Sequence, residues 1–136
     1  MIEMHEAEET VGEYIARIAD PLEETDDKGS MVPPDFPVDF ITRDNGVVCT
    51  ATLYQRYNGS VVLRIDAPIA ETTDSGALRQ WVLDAPGHLP YVQIRCQTLH
   101  NDGRVRLVAT HSLSVDNLSQ FVLEQVVSSF DFIVPQ

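Results

Sequence analysis

Apolar residues recur at Val11, Tyr14, Ile15, Ile18 and Leu22, spaced i, i+3, i+4, i+7 and i+11 along the chain. That spacing predicts a one-faced amphipathic helix over residues ~6–20, with Pro21 ending it or sitting in its last turn. From residue 23 to 37 the period vanishes. "EETDDKGSMVPPDFP" is acidic and then proline-rich, which predicts a loop tethering the helix to a sheet. Beyond it the period becomes two. Three strands are expected at ~37–44, 47–57 and 60–67, separated by two Asn-Gly pairs, a strong hairpin signal.

Turn length and face agreement together predict the register. A two-residue turn at Asn45-Gly46 sets Asp44 opposite Val47. Val38, Phe40 and Thr42 then share a face with Leu53, Ala51 and Cys49. The same turn at Asn58-Gly59 would put Leu63 and Ile65 on the face opposite Leu53 and Ala51, because a one-residue slip reverses every side chain. A three-residue loop, Tyr57-Asn58-Gly59 with Gly59 in the left-handed region, restores agreement. Leu53 then pairs with Leu63, and Ala51 with Ile65.

"TTDSGALRQWVLDAPGHLP" reads as a short helix capped by Thr73 or Asp74 and stopped by Pro86-Gly87. Its core stripe is Leu78, Trp81, Val82 and Ala85. A fourth strand, ~91–99, turns Val92, Ile94, Cys96 and Thr98 inward. A turn at Asn101-Asp102-Gly103 leads to a fifth, ~104–111, pairing Cys96 with Ala109 and Thr98 with Leu107. A closing helix, ~115–130, begins after Ser114 or Asp116. The order α-β-β-β-α-β-β-α has hairpin links too short for parallel crossovers. It predicts an α+β fold: one mainly antiparallel five-stranded sheet with helices packed on one face. Phe40, Cys49, Ala51, Leu53, Leu63, Ile65, Ile94, Cys96, Leu107 and Ala109 are expected between sheet and helices, and Tyr54, Arg64 and Arg95 on the other face.

The closing helix carries more apolar residues than one side holds. With Leu118, Phe121 and Val122 facing the sheet, Leu123, Val127 and Phe130 fall about 120–180° away, well beyond the roughly 100° arc a sheet-packed helix needs. In the middle helix, Leu83 likewise projects to the side opposite its stripe. Either helix 6–20 covers the second side of the closing helix, or another chain does. One narrow-striped helix does not readily cover Leu83 as well. Leu83, Leu123, Val127 and Phe130 are therefore the candidate dimer or partner surface, and a homodimer using the middle helix near Leu83 is expected. Helix 6–20 itself, with its repelling glutamates and long link, is expected to be marginal and peripheral.

Charge narrows the partners. The 136 residues carry a net charge of −12. Residues 1–30 hold ten acids against Arg17 and Lys28, or −8, and the rest hold 11 acids against seven arginines, or −4. Such a surface repels phosphate backbones and anionic headgroups, so neither nucleic acid nor membrane is an expected partner. The length suits one domain, 1–136, in which 1–36 are the acidic helix and Pro-rich loop and 37–136 the sheet and helix core. "MIEMHEAEET" lacks the basic and apolar regions of a signal peptide, and no run approaches the ~18 apolar residues of a membrane span. A cytoplasmic location is expected, with Cys49 and Cys96 as reduced core thiols.

The residue spacings offer little chemistry. His5, His88, His100 and His111 form no i, i+4 pair, and no Cys-x-x-Cys occurs, so no metal site is expected. Ser112 and Ser114 lie near His111, but no Gly-x-Ser-x-Gly elbow frames them, and Ser114 serves as a helix cap. No Gly-rich loop joins a strand to a helix, so no phosphate cradle is expected. Catalytic and cofactor-binding residues are expected to be absent.

"SVVLRIDAPI" and "NDGRVRLVATHSLSVDNLSQFVLEQV", with Gly103, Leu107, Leu113, Leu118 and Val122 at recurring positions, resemble the YbjN-like family. These are small bacterial proteins described as sensory-transduction regulators, with a fold like that of type III secretion chaperones. The resemblance is best over residues 60–130. It implies a non-enzymatic, protein-binding role, chaperone-like or regulatory, often as a dimer. The alternative is a small-ligand sensor domain of a regulatory system, which a concave pocket of convergent polar groups would favour. An exposed hydrophobic patch would favour protein binding.

Overall fold

Hairpin chemistry organises the sheet. The structure, a computed structural model, describes residues 2–21, 36–84, 93–98 and 103–131. Helix α1 (Met4–Ile18) leads into β1 (Ala19–Pro21); β2 (Val38–Thr42), β3 (Val48–Gln55) and β4 (Val61–Thr73) come after it. Then come α2 (Gly76–Asp84), β5 (Gln93–Thr98), β6 (Arg104–Ser114) and α3 (Gln120–Phe130). The fold is α+β, with a six-stranded antiparallel sheet in the order β1-β2-β3-β4-β6-β5. No helix among the described residues is long and apolar enough to cross a membrane.

The sixth strand corrects the expected five. Pro21 cannot donate a helical hydrogen bond, and its ring would crowd the carbonyl four residues back. The chain therefore leaves the helix at Ala19 (φ −141°, ψ 169°) and pairs with β2, Ala19 opposite Thr42. Proline is tolerated there because β1 lies on the sheet edge.

The bulged turn is as expected. Leu53 pairs with Leu63 and Ala51 with Ile65; Arg56 N–H donates to the Ser60 carbonyl at 2.8 Å, and Gly59 takes φ +86°. The Asn45-Gly46 turn is longer than expected. Thr42 pairs with Val47 across a four-residue loop, Thr42 N–H donating to the Val47 carbonyl at 3.0 Å, with Gly46 at φ +66°. Phe40 then sits opposite Cys49 rather than Ala51. In the β5–β6 pair, Cys96 faces Leu107 and Ile94 faces Ala109, again offset by two. A shift of two leaves every side chain on its expected face, because strands have period two.

Both expected caps move. Ser75 Oγ accepts from Leu78 N–H at 3.1 Å, since Thr73 is still in β4. Ser119 Oγ accepts from Val122 N–H at 3.2 Å, since β6 runs on to Ser114. Helix α3 thus starts five residues later than expected, and its phase is set by Leu123, Val126, Val127 and Phe130, all buried.

These four pack with Ala7, Val11 and Ile15 of α1 onto Phe40, Cys49, Ala51, Leu63, Ile65 and Ala109. Complete burial of a Leu or Phe side chain is worth about 1.5–3 kcal/mol, so Phe40, Leu63, Leu123 and Phe130 clamp helices to sheet. Helix α1 is part of this core rather than peripheral: Ala7 and Val11 are fully buried. The other sheet face carries Tyr54 and Arg95 exposed and Arg64 half-buried, with Arg64 and Arg95 paired to Asp66 at 2.9 and 3.5 Å. The expected roles of Leu22, Ala85, Pro86-Gly87, Val92 and Asn101-Asp102, and most of the 23–37 loop, fall outside the described residues.

Candidate functional site

Of the four surface candidates, only Leu83 lies on the surface, 73% exposed. Leu123, Val127 and Phe130 belong to the core, at 4% exposure or less. The late start of α3 explains the reversal: without Leu118 on the helix, Leu123, Val126, Val127 and Phe130 form an i, i+3, i+4, i+7 stripe facing the sheet. The residues expected to face the sheet, Phe121 and Val122, are turned outward at 69% and 41% exposure. Recognising Ser119 as the cap would have revealed this phase.

Helix α2 has no buried residue. Leu78 and Val82 lie half-buried against the core, and Trp81 and Leu83 project on either flank of that side. Trp81, expected in the core stripe, is half exposed. An Asp74–Arg79 ion pair at 2.6 Å, a two-pronged carboxylate–guanidinium contact, steadies the start of α2. It holds the Asp74 carboxyl below its ordinary value.

A second feature has no counterpart in the sequence pattern. A cleft of about 190 Å³ opens between the C-terminal end of α1, the β2–β3 loop and one side of α3. Gln120, Glu124 and Ser128 line it from α3 and Asp131 from its C-terminal cap, Arg17 from α1, Thr42 from the end of β2, and Arg43 and Asp44 from the loop. Asp131 is buried at the C-terminal cap of α3 and accepts a hydrogen bond from Thr42 Oγ1. Asn45 Nδ2 donates to its backbone carbonyl at 2.9 Å. Arg17 donates to Gln120 Oε1 at 3.1 Å, and Arg43 reaches Asp20 at 3.4 Å. Spacing alone hides such a site, because its groups come from residues more than a hundred positions apart.

The thiols are both free, Cys49 buried and Cys96 half-buried. Burial, with a smaller push from the Asp131 carboxylate, raises the Cys49 thiol to about 12, so it stays neutral at physiological pH. His111 stands opposite Ile65 on the core face, whereas Ser112 and Ser114 point to the other face. The sheet itself separates the imidazole from both hydroxyls. No group of three or more metal-ligating side chains occurs among the described residues. No protein-family model, curated protein or solved structure matches the chain.

Proposed function

We propose that the chain is a non-enzymatic protein-binding module, chaperone-like or regulatory, that works in the cytoplasm as a homodimer through α2. The observation that carries this reading is Leu83: a large apolar side chain, 73% exposed, on a helix with no buried residue. Trp81 adds half-exposed aromatic surface on the same helix. Contiguous exposed apolar surface marks interaction sites, and tryptophan is among the residues enriched at their energetic centres. A two-fold contact between copies of α2 buries the same patch on both. The resemblance to YbjN-like proteins implies the same kind of role.

Phe121 and Val122, on the first turn of α3, offer a separate apolar step for a partner segment. With a net charge of −12 around it, that segment gains from basic residues beside its apolar anchors.

Light scattering at micromolar concentration is expected to give a mass near twice the 15.2 kDa of the chain. Leu83→Asp is expected to return it to a single chain without loss of helix signal. A monomer at every concentration, with Leu83→Asp behaving as the parent, refutes the dimer.

A further inference from the structure

Asp131 is an unusual place for a charge. It is 6% exposed, and it sits at the C-terminal end of α3, where the helix dipole disfavours a carboxylate. Among the described residues no cation lies within ion-pair distance of it. Its hydrogen bond from Thr42 requires only an acceptor, which an asparagine amide would supply as well. Local structure therefore accounts for the oxygen but not for the negative charge. A buried carboxylate without a partner is costly, and a cation arriving from the cleft would offset that cost.

The same cleft offers the opposite charge. Arg43 directly follows Thr42, the residue bonded to Asp131, and its contacts to Asp20 and to the Ala19 carbonyl are long, at 3.4 and 3.5 Å. Its guanidinium is half exposed, and a ligand carboxylate would share it with Asp20 or displace that long contact. Further along α3, Glu124 and the Arg17–Gln120 pair continue the wall with polar groups of both signs. The volume, about 190 Å³, lies below the roughly 300–1,000 Å³ typical of drug-sized ligands. It suits a molecule of a few heavy atoms carrying both charges.

We propose that this cleft binds a free polar α-amino acid, its ammonium group at Asp131, its carboxylate at Arg43, and its side chain along α3 towards Glu124 and Arg17. The site is independent of α2, so binding does not depend on dimer formation.

The test is an NMR titration of the intact chain with glycine, L-serine and L-glutamine, against acetate and methylammonium as half-molecule probes. Saturable shifts of the Arg43, Asn45 and Asp131 amides are expected with at least one of the amino acids at millimolar concentration, and with neither half-molecule. Asp131→Asn keeps the acceptor for Thr42, and is expected to weaken binding at least about tenfold, the loss of one charge-assisted hydrogen bond. If Asp131→Asn does not fold, Arg43→Gln, on a half-exposed side chain, carries the same expectation. No saturable shift with any amino acid overturns the proposal, as does a variant that binds like the parent. Methylammonium binding as tightly as glycine overturns the two-ended site. Repeating the titration on Leu83→Asp separates this outcome from that of the dimer.

Discussion

Truncating Leu123 and Phe121 separately measures the phase of α3. Leu123 is completely buried and Phe121 is 69% exposed, although the two are only two positions apart. Leu123→Ala cuts a buried isobutyl group back to a methyl and leaves a cavity between α3 and the sheet. In well-packed cores such a change costs about 2–5 kcal/mol, the spread reflecting how far neighbours relax. Unfolding entropy of about 2.1 cal/mol/K per residue gives roughly 0.29 kcal/mol/K for the 136-residue chain. A loss of about 3 kcal/mol therefore lowers Tm by about 10 °C. Phe121→Ala removes a larger side chain, but most of it is already in water, so its cost is within about 0.5 kcal/mol, or about 2 °C. Urea unfolding followed by circular dichroism, with equal m-values for both variants, reads the difference directly. Equal costs for the two truncations, or a larger one for Phe121→Ala, would show that α3 presents its other side to the sheet.

Other perturbations test the remaining elements. Cys49 ionises at about 12 when folded, against an ordinary 9.0. The stability it contributes is intact below pH 9 and is lost as pH rises towards 12, the loss reaching about 1.4 kcal/mol at pH 10. Unfolding measured from pH 8 to 10.5 is expected to show a steeper decline in the parent than in Cys49→Ala, and parallel declines would refute the assignment. Ser119→Ala is expected to cost about 1 kcal/mol through loss of the α3 cap, while Ser114→Ala, on an exposed strand end, stays within about 0.5. The reverse order in a denaturation series would return the start of the helix to Ser114. Gly59→Ala, at φ +86°, is expected to cost about 1–2 kcal/mol. A neutral result would mean the three-residue loop does not need its left-handed residue.

The faces of the strands were legible in the residue pattern. Leu53 and Leu63 had to share a side, and only a bulged turn at Gly59 allowed it, which is the turn the chain adopts. Period-two alternation is a local property and survives errors of register, so Phe40, Cys49 and Ala109 are buried although two hairpins are offset by two residues. Helix phase is less forgiving. Ser114, Asp116 and Ser119 are all competent caps in isolation; the choice fell to Ser119 because Ser114 continues β6 beside Val62, a partner some fifty residues away. That one non-local pairing delayed the helix by five residues and exchanged its inner and outer sides. Pro21 marked the end of α1, but only the exposed edge of β2 made Ala19–Pro21 a strand. Composition announced an acidic chain; bringing Arg17, Arg43 and Asp131 around one cleft required the helices to close over the sheet. Local patterns decide which side of a segment avoids water, whereas contacts between distant segments decide where it begins and what it meets.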